Sequence, residues 1–182
     1  MAPLTRLAPI ASLLLLLPCA PLESQDGAPS EYAVKAAFLY NFARYVEWPA
    51  EAKPESGPFV ITIVGQDPFD GVIDDALRGK SVAGRSVELR RVRRASEIAQ
   101  SQIVFISSSE KSQLAQILEH LQGMPTLTVG EAENFAESGG IIRFRMERSR
   151  VRLDVNTGAA QRARLRISSE LLKLARIVGD GA

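Results

Sequence analysis

Two short runs constrain this chain most. Phe59 to Val64, FVITIV, and Ile103 to Ile106, IVFI, are continuous apolar, β-branched stretches. Each reads as a strand buried on both faces, because an alternating pattern would mark a strand with one wet side. A strand covered on both faces needs helices above and below it, and helical stretches do follow both runs. Thr126 to Val129 reads as a further strand. Val87 to Val92, VELRRV, alternates and reads as a strand with one wet face. Ile141 to Met146 and Val151 to Val155 read as a hairpin near the end of the chain. Strands alternating with helices, then a hairpin, predict an α/β three-layer sandwich. Its sheet is mixed and largely parallel, with a C-terminal β-hairpin and helices on both faces.

The longest predicted helices bracket this pattern. Ser30 to Pro49, SEYAVKAAFLYNFARYVEWP, opens with an N-capping serine and a carboxylate at the positive end of the helix. Val34, Phe38, Phe42 and Tyr45 share a face, and Ala36, Leu39, Tyr40, Ala43 and Val46 extend it round most of the cylinder. Such a helix belongs in the core, and Pro49 is expected to stop it. The plain reading is a central core helix; the alternative is that Tyr40, Asn41, Arg44 and Trp48 surface at a partner site. Asp67-Pro68 predicts a helix start, with a short helix over 69–77. A helix leads from the serines at 107–109 to Leu121. The last helix is expected over about 159–178 along Ile167, Leu171, Leu174 and Val178, side by side with the first.

The N-terminus sets the compartment. Arg6 precedes an apolar run from Ile10 to Leu17, and Pro18, Cys19 and Ala20 follow, which is a secretory signal pattern over residues 1–20. The run is far shorter than the roughly 20 residues of a bilayer span. Cys19 raises a lipid anchor, but Pro18 before it does not fit the small residue such a signal carries. Residues 21–29 read as a disordered leader and 30–180 as a single α/β domain. Loss of Arg6 with the signal leaves 21 basic against 21 acidic residues. That balance gives no global field for nucleic acid or a membrane. Cys19 is the only cysteine, so the remaining chain offers neither an internal disulfide nor a thiolate metal site.

Catalytic patterns are not found. His120 is the only histidine, on the polar side of its helix, and no G-x-S-x-G elbow occurs. Asp67, Asp70, Asp74 and Asp75 do not match a calcium loop. No metal site or cofactor is expected. Two places remain for binding. Gly65 to Gly71, GQDPFDG, lies between a strand and a helix, where open α/β sheets often hold ligands, so Gly65, Asp67 and Phe69 define a candidate small-ligand crevice. The hairpin carries Arg143, Arg145 and Arg152 on its outer face with Asp154 among them. A solvated face is the bland alternative, but a row of arginines also suits a protein partner.

VKAAFLYNFARYVEWP at 34–49 closely resembles the opening of the YfiR/HmsC-like family of periplasmic proteins. The likeness continues in ITIVGQDPFDGVIDDALRGKSVAGRSVELRRV at 61–92 and IVFIS at 103–107. It recurs in TLTVGEAENFAESGGIIRF at 126–144 and RVRLDVNTGAAQRARLRISSELLKLARIV at 150–178. The order and spacing of these pieces make the resemblance specific. It implies a periplasmic regulator, not an enzyme. Its partner would be the periplasmic sensor domain of an inner-membrane diguanylate cyclase, held inactive so that cyclic di-GMP and biofilm formation stay low. A small-ligand sensor is the alternative, and homodimerisation remains open. Some relatives carry paired cysteines; Ser101 and Gln102 stand where one would lie, so a redox role does not carry over.

Overall fold

The computed structural model describes residues 29–52 and 57–179. The signal pattern, Cys19 and nearly all of the leader lie outside the described residues.

Helix α1 (Glu31–Tyr45) starts as its sequence dictates: the Ser30 side chain accepts a hydrogen bond from Ala33 N at 3.2 Å. It ends four residues before Pro49. Val46–Glu47 turns extended as strand β1 and pairs antiparallel with β9 (Arg166–Ile167). Backbone pairing, and not the proline, therefore terminates the helix.

Among the described residues the main sheet has eight strands. In chain order they are β2 (Phe59–Val64), β3 (Ser81–Val82), β4 (Arg85–Val92), β5 (Ile103–Ile106), β6 (Leu127–Gly130), β7 (Ile142–Glu147), β8 (Arg150–Asn156) and β10 (Ala175–Val178). Their spatial order is β10-β8-β7-β6-β5-β2-β4-β3. The run from β4 through β2, β5 and β6 to β7 is parallel, and β7–β8 is the antiparallel hairpin. β10 returns parallel to β8.

Alternation along β5 shows how the layers form. Ile103 and Phe105 face one side, with Leu39 and Phe42 of α1 and Ile73 of α2 (Val72–Leu77) in the same cluster. Val104 and Ile106 face the other, packing with Leu114 and Ile117 of α3 (Leu114–His120) and with Leu121 and Phe135. Each fully buried side chain of this size contributes roughly 1.5–3 kcal/mol through burial. Phe135 lies so close over Gly130 and Gly140 that an added Cβ would fall 2.3 and 2.2 Å from its ring.

Three expected helices change shape. The one expected from the serines at 107–109 to Leu121 is a 3-10 helix over Ser108–Gln113 and becomes α-helical only in α3. The segment expected over 69–77 becomes helical only at Val72, because Asp67 bends the backbone first: its Oδ1 accepts from Phe69 N at 2.8 Å. The expected C-terminal helix does not exist as one element. It divides into α4 (Thr157–Arg162), β9, α5 (Ser169–Lys173) and β10. Arg164 adopts a left-handed φ of 57° after α4, and Ser168 caps α5 by accepting from Leu171 N. Leu171 is buried but Leu174 is 67 % exposed, so the four-three-four spacing does not define a buried stripe.

Trp48 is buried, which fits the core-helix reading and not the alternative that it surfaces, and its Nε1 donates to Gln102 O at 3.1 Å. The Gln102 side chain accepts from Val60 N and donates to Ala52 O. Among the described residues no helix is long and apolar enough to cross a membrane.

Candidate functional site

The hairpin β7–β8 supplies the principal site. Its register sets Arg143 opposite Asp154, Arg145 opposite Arg152 and Glu147 opposite Arg150, so these six side chains share one sheet face. β10 adds Arg176 beside Asp154 on the same face. The sequence hides this last member inside an apparent helix.

Asp154 organises the cluster. The expectation of an outward, wet aspartate is corrected here: its side chain is 0 % exposed. Arg176 donates to it through Nε at 2.9 Å and Nη2 at 2.8 Å. Arg145 Nε lies 3.4 Å and Arg143 Nη1 3.5 Å from its oxygens. A buried carboxylate demands such compensation, and a two-pronged guanidinium contact is its strongest form. The Asp154 carboxylate in turn holds the Arg176 guanidinium above its ordinary pKa. Glu147 lies 3.5 Å from Arg145 and 3.6 Å from Arg152. Arg152 is half-exposed and does not reach Asp154 in any described contact, so the four residues named from sequence form a graded cluster with Asp154 at its base. The tip of the hairpin, Arg148-Ser149, holds φ values of 48° and 60°. Both are left-handed, as the tight turn requires.

The arrangement can bind and orient acidic groups. It offers fixed N–H forks and excess positive charge, but no nucleophile beside a base. Met146 is 42 % exposed near the tip.

The second sequence-named place sits elsewhere. β2 connects to β4 on one side and β5 to β6 on the other, so the strand ends after Val64 and Ile106 flank a switch point. Gly65 lies there with φ 90°, and a Cβ on it would fall 2.5 Å from Ser109 Oγ and 2.6 Å from Glu110 Oε1. Asp67 Oδ2 accepts from Arg91 Nε at 2.7 Å. Phe69 is buried, edge-on to Tyr32 and Phe105. Gly65, Asp67 and Phe69 thus meet at one end of the sheet, where Ser109 and Glu110 occupy the space above Gly65.

Besides Arg176, sequence reasoning missed two features. Lys35 is buried on α1 and donates to Glu131 at 2.6 Å and to Glu31. Burial works against its charge, but these two hydrogen-bonded carboxylates prevail and raise its pKa. A lysine on the apolar face, four residues after Glu31, was the available signal. The other is a cleft of about 410 Å³ lined by Leu118, Thr126, Thr128, Glu137 and Arg162 among others, between α3 and α4. Among the described residues no cluster of three or more His, Cys, Asp or Glu could hold a metal ion.

Solved structures share this fold. The ABC domain from Streptococcus pneumoniae, crystallised in complex with L-Trp, matches with a TM-score of 0.54 at 14 % identity, covering 80 % of this chain and 60 % of its own. A conserved domain protein from Vibrio cholerae O1 biovar El Tor matches with a TM-score of 0.56 at 11 % identity, covering 81 % and 60 %. This chain therefore spans less than two thirds of either structure. No functionally curated protein matches it at a significant level. The sequence model of the YfiR/HmsC-like family matches residues 32–176.

Proposed function

This chain belongs to the YfiR/HmsC-like family, and on that premise we propose that it is an exported repressor of a membrane-bound diguanylate cyclase. It binds the periplasmic sensor domain of the cyclase and keeps cyclic di-GMP low. The observation that carries this reading is the family match, which runs from α1 to the second residue of β10. The arginine face built on Asp154 supports it, because a row of arginines suits a protein partner.

Repression requires preference. A partner bound equally well in its active and inactive states is not shifted, so the face formed by Arg143, Arg145 and Arg152 over Asp154 must fit the inactive sensor domain better. The test is to co-express the full chain with a cyclase that carries a periplasmic sensor domain and to measure cyclic di-GMP. A fall in cyclic di-GMP that disappears when the signal segment is deleted is the expected result. An unchanged level with the exported chain present overturns the proposal.

A second reading is a small-ligand sensor, and the cleft between α3 and α4 is the observation that favours it. A ligand bound only to the native state would raise the melting temperature in a metabolite screen.

A further inference from the structure

We infer that the free edge of β10 is a docking site for an extended strand of the partner, whose side chains alternate between acidic and apolar. This inference rests on the regulatory reading above and adds the chemistry of the partner segment.

β10 ends the eight-strand order, and β8 is its only strand neighbour among the described residues. Among the described residues no backbone group pairs with its outer edge, which leaves N–H and C=O groups available to another strand. Exposed edges are commonly guarded by shortness, charged side chains, proline or a bulge, and of these β10 has its four-residue length and Arg176, whose charge is drawn inward onto Asp154. Here Ala175-Arg176-Ile177-Val178 contains neither lysine nor proline, and its register with β8 runs unbroken. Ile177 is 58 % exposed, and Leu174 just before the strand is more so.

The two faces of this edge differ in chemistry. On one lie Arg176, whose side chain is 55 % exposed, and beyond it Arg152, Arg145, Arg143 and Arg150. Against these five arginines stand Glu147 and the buried Asp154, with Glu137 within electrostatic reach of Arg176. Positive charge therefore remains in excess. On the opposite face lies Ile177, in register with the buried Val155. A strand added here would present successive side chains to the basic face and to the apolar face in turn. Acidic residues alternating with apolar ones satisfy both.

Charge also argues against a second copy as the occupant. Two β10 edges paired antiparallel about a two-fold axis would bring Arg176 directly or diagonally opposite its own counterpart, and like charges so placed repel.

The experiment uses the exported chain and three octapeptides: alternating Glu and Val, alternating Lys and Val, and a block of Glu followed by a block of Val. Amide hydrogen exchange should slow at 175–178 with the alternating Glu-Val peptide, and not with the other two. Ile177→Lys, which installs an edge guard, should weaken that binding about tenfold or more with an unchanged melting temperature. Equal protection by all three peptides, or protection confined to other strands, overturns the inference. A dimer in sedimentation that Ile177→Lys disperses also overturns it, because the second copy would then be the occupant. Repression of the cyclase by the Ile177→Lys chain would sink the edge and leave the regulatory reading intact. Failure of the unaltered chain to repress would sink the regulatory reading itself.

Discussion

Arg176 grips Asp154 with two nitrogens across the seam between β10 and β8, at 2.9 and 2.8 Å. The contact joins the last strand to the hairpin and neutralises a carboxylate that has no access to water. Replacing Asp154 by Asn would leave three guanidiniums facing a neutral group. We expect Asp154→Asn to cost roughly 3 kcal/mol, the scale for breaking a buried ion pair. For a chain of this size that is a fall in Tm of about 6–12 °C. A thermal melt beside that of the unaltered protein checks it.

Arg152 lies at the opposite extreme of the same cluster. It is half-exposed and touches Glu147 at 3.6 Å. Arg152→Glu should therefore leave Tm within about 2 °C while weakening repression of the cyclase, because surface substitutions of this kind seldom exceed 0.5 kcal/mol. Arg145→Glu should weaken repression too, with a measurable loss of stability from its contact with Asp154. Partner affinity in a pull-down, read with the melts, separates the two effects. Unchanged affinity in both variants would remove the hairpin face from the interface.

Lys35 supplies a structural prediction. It bridges Glu31 and Glu131, residues from α1 and from the loop after β6. Lys35→Met should destabilise by roughly 3 kcal/mol, since Glu131 is left partly buried without its cation. Adding Glu131→Gln should restore part of that loss, a coupling that a double-mutant cycle measures.

The same pair sets a pH limit. The Lys35 pKa is raised in the folded chain, so the stabilisation it gives is complete below the unfolded lysine value of about 10.4 and is lost as pH rises through the folded value. The Tyr32 pKa is raised as well, chiefly by burial and then by the nearby Glu131 charge. The unfolded chain would ionise that phenol first, near pH 10, so its effect has the same sign. Stability should therefore fall with increasing pH above about 10, and Lys35→Met should flatten that fall. Urea midpoints across this range test the slope.

Gly130 tests the second core. An alanine there would thrust its Cβ into the ring of Phe135, which is fully buried. Gly130→Ala should cost about 1–3 kcal/mol by overpacking. In the double variant with Phe135→Leu, which vacates space, the total cost should fall below the sum of the two single costs. Purely additive costs would mean the ring is not the obstacle.

The sheet was legible because its central strands are continuous apolar runs, and only a sandwich of helices buries both faces of FVITIV. The Ser30 cap and the hairpin were legible for equally local reasons. The C-terminal region was not, and its two misreadings have one cause. Leu171 and Leu174 keep helical spacing with Ile167, yet the chain after Lys173 turns to pair with β8. Concealing β10 also concealed Arg176, and without Arg176 nothing in the alternation of RVRLDVN distinguishes Asp154 from an outward, hydrated residue. Lys35 was hidden differently, since Glu131 is ninety-six residues away.

The indole of Trp48, pinned by its N–H to Gln102 O, is the sole such chromophore in the sequence. Trp48 precedes β2, and β2 stands five places from β10 in the sheet order. Its fluorescence should thus stay constant while a strand settles on that remote border, and shift to longer wavelength only when the whole body melts. The chain carries its own optical control, separating occupancy from collapse without any attached dye.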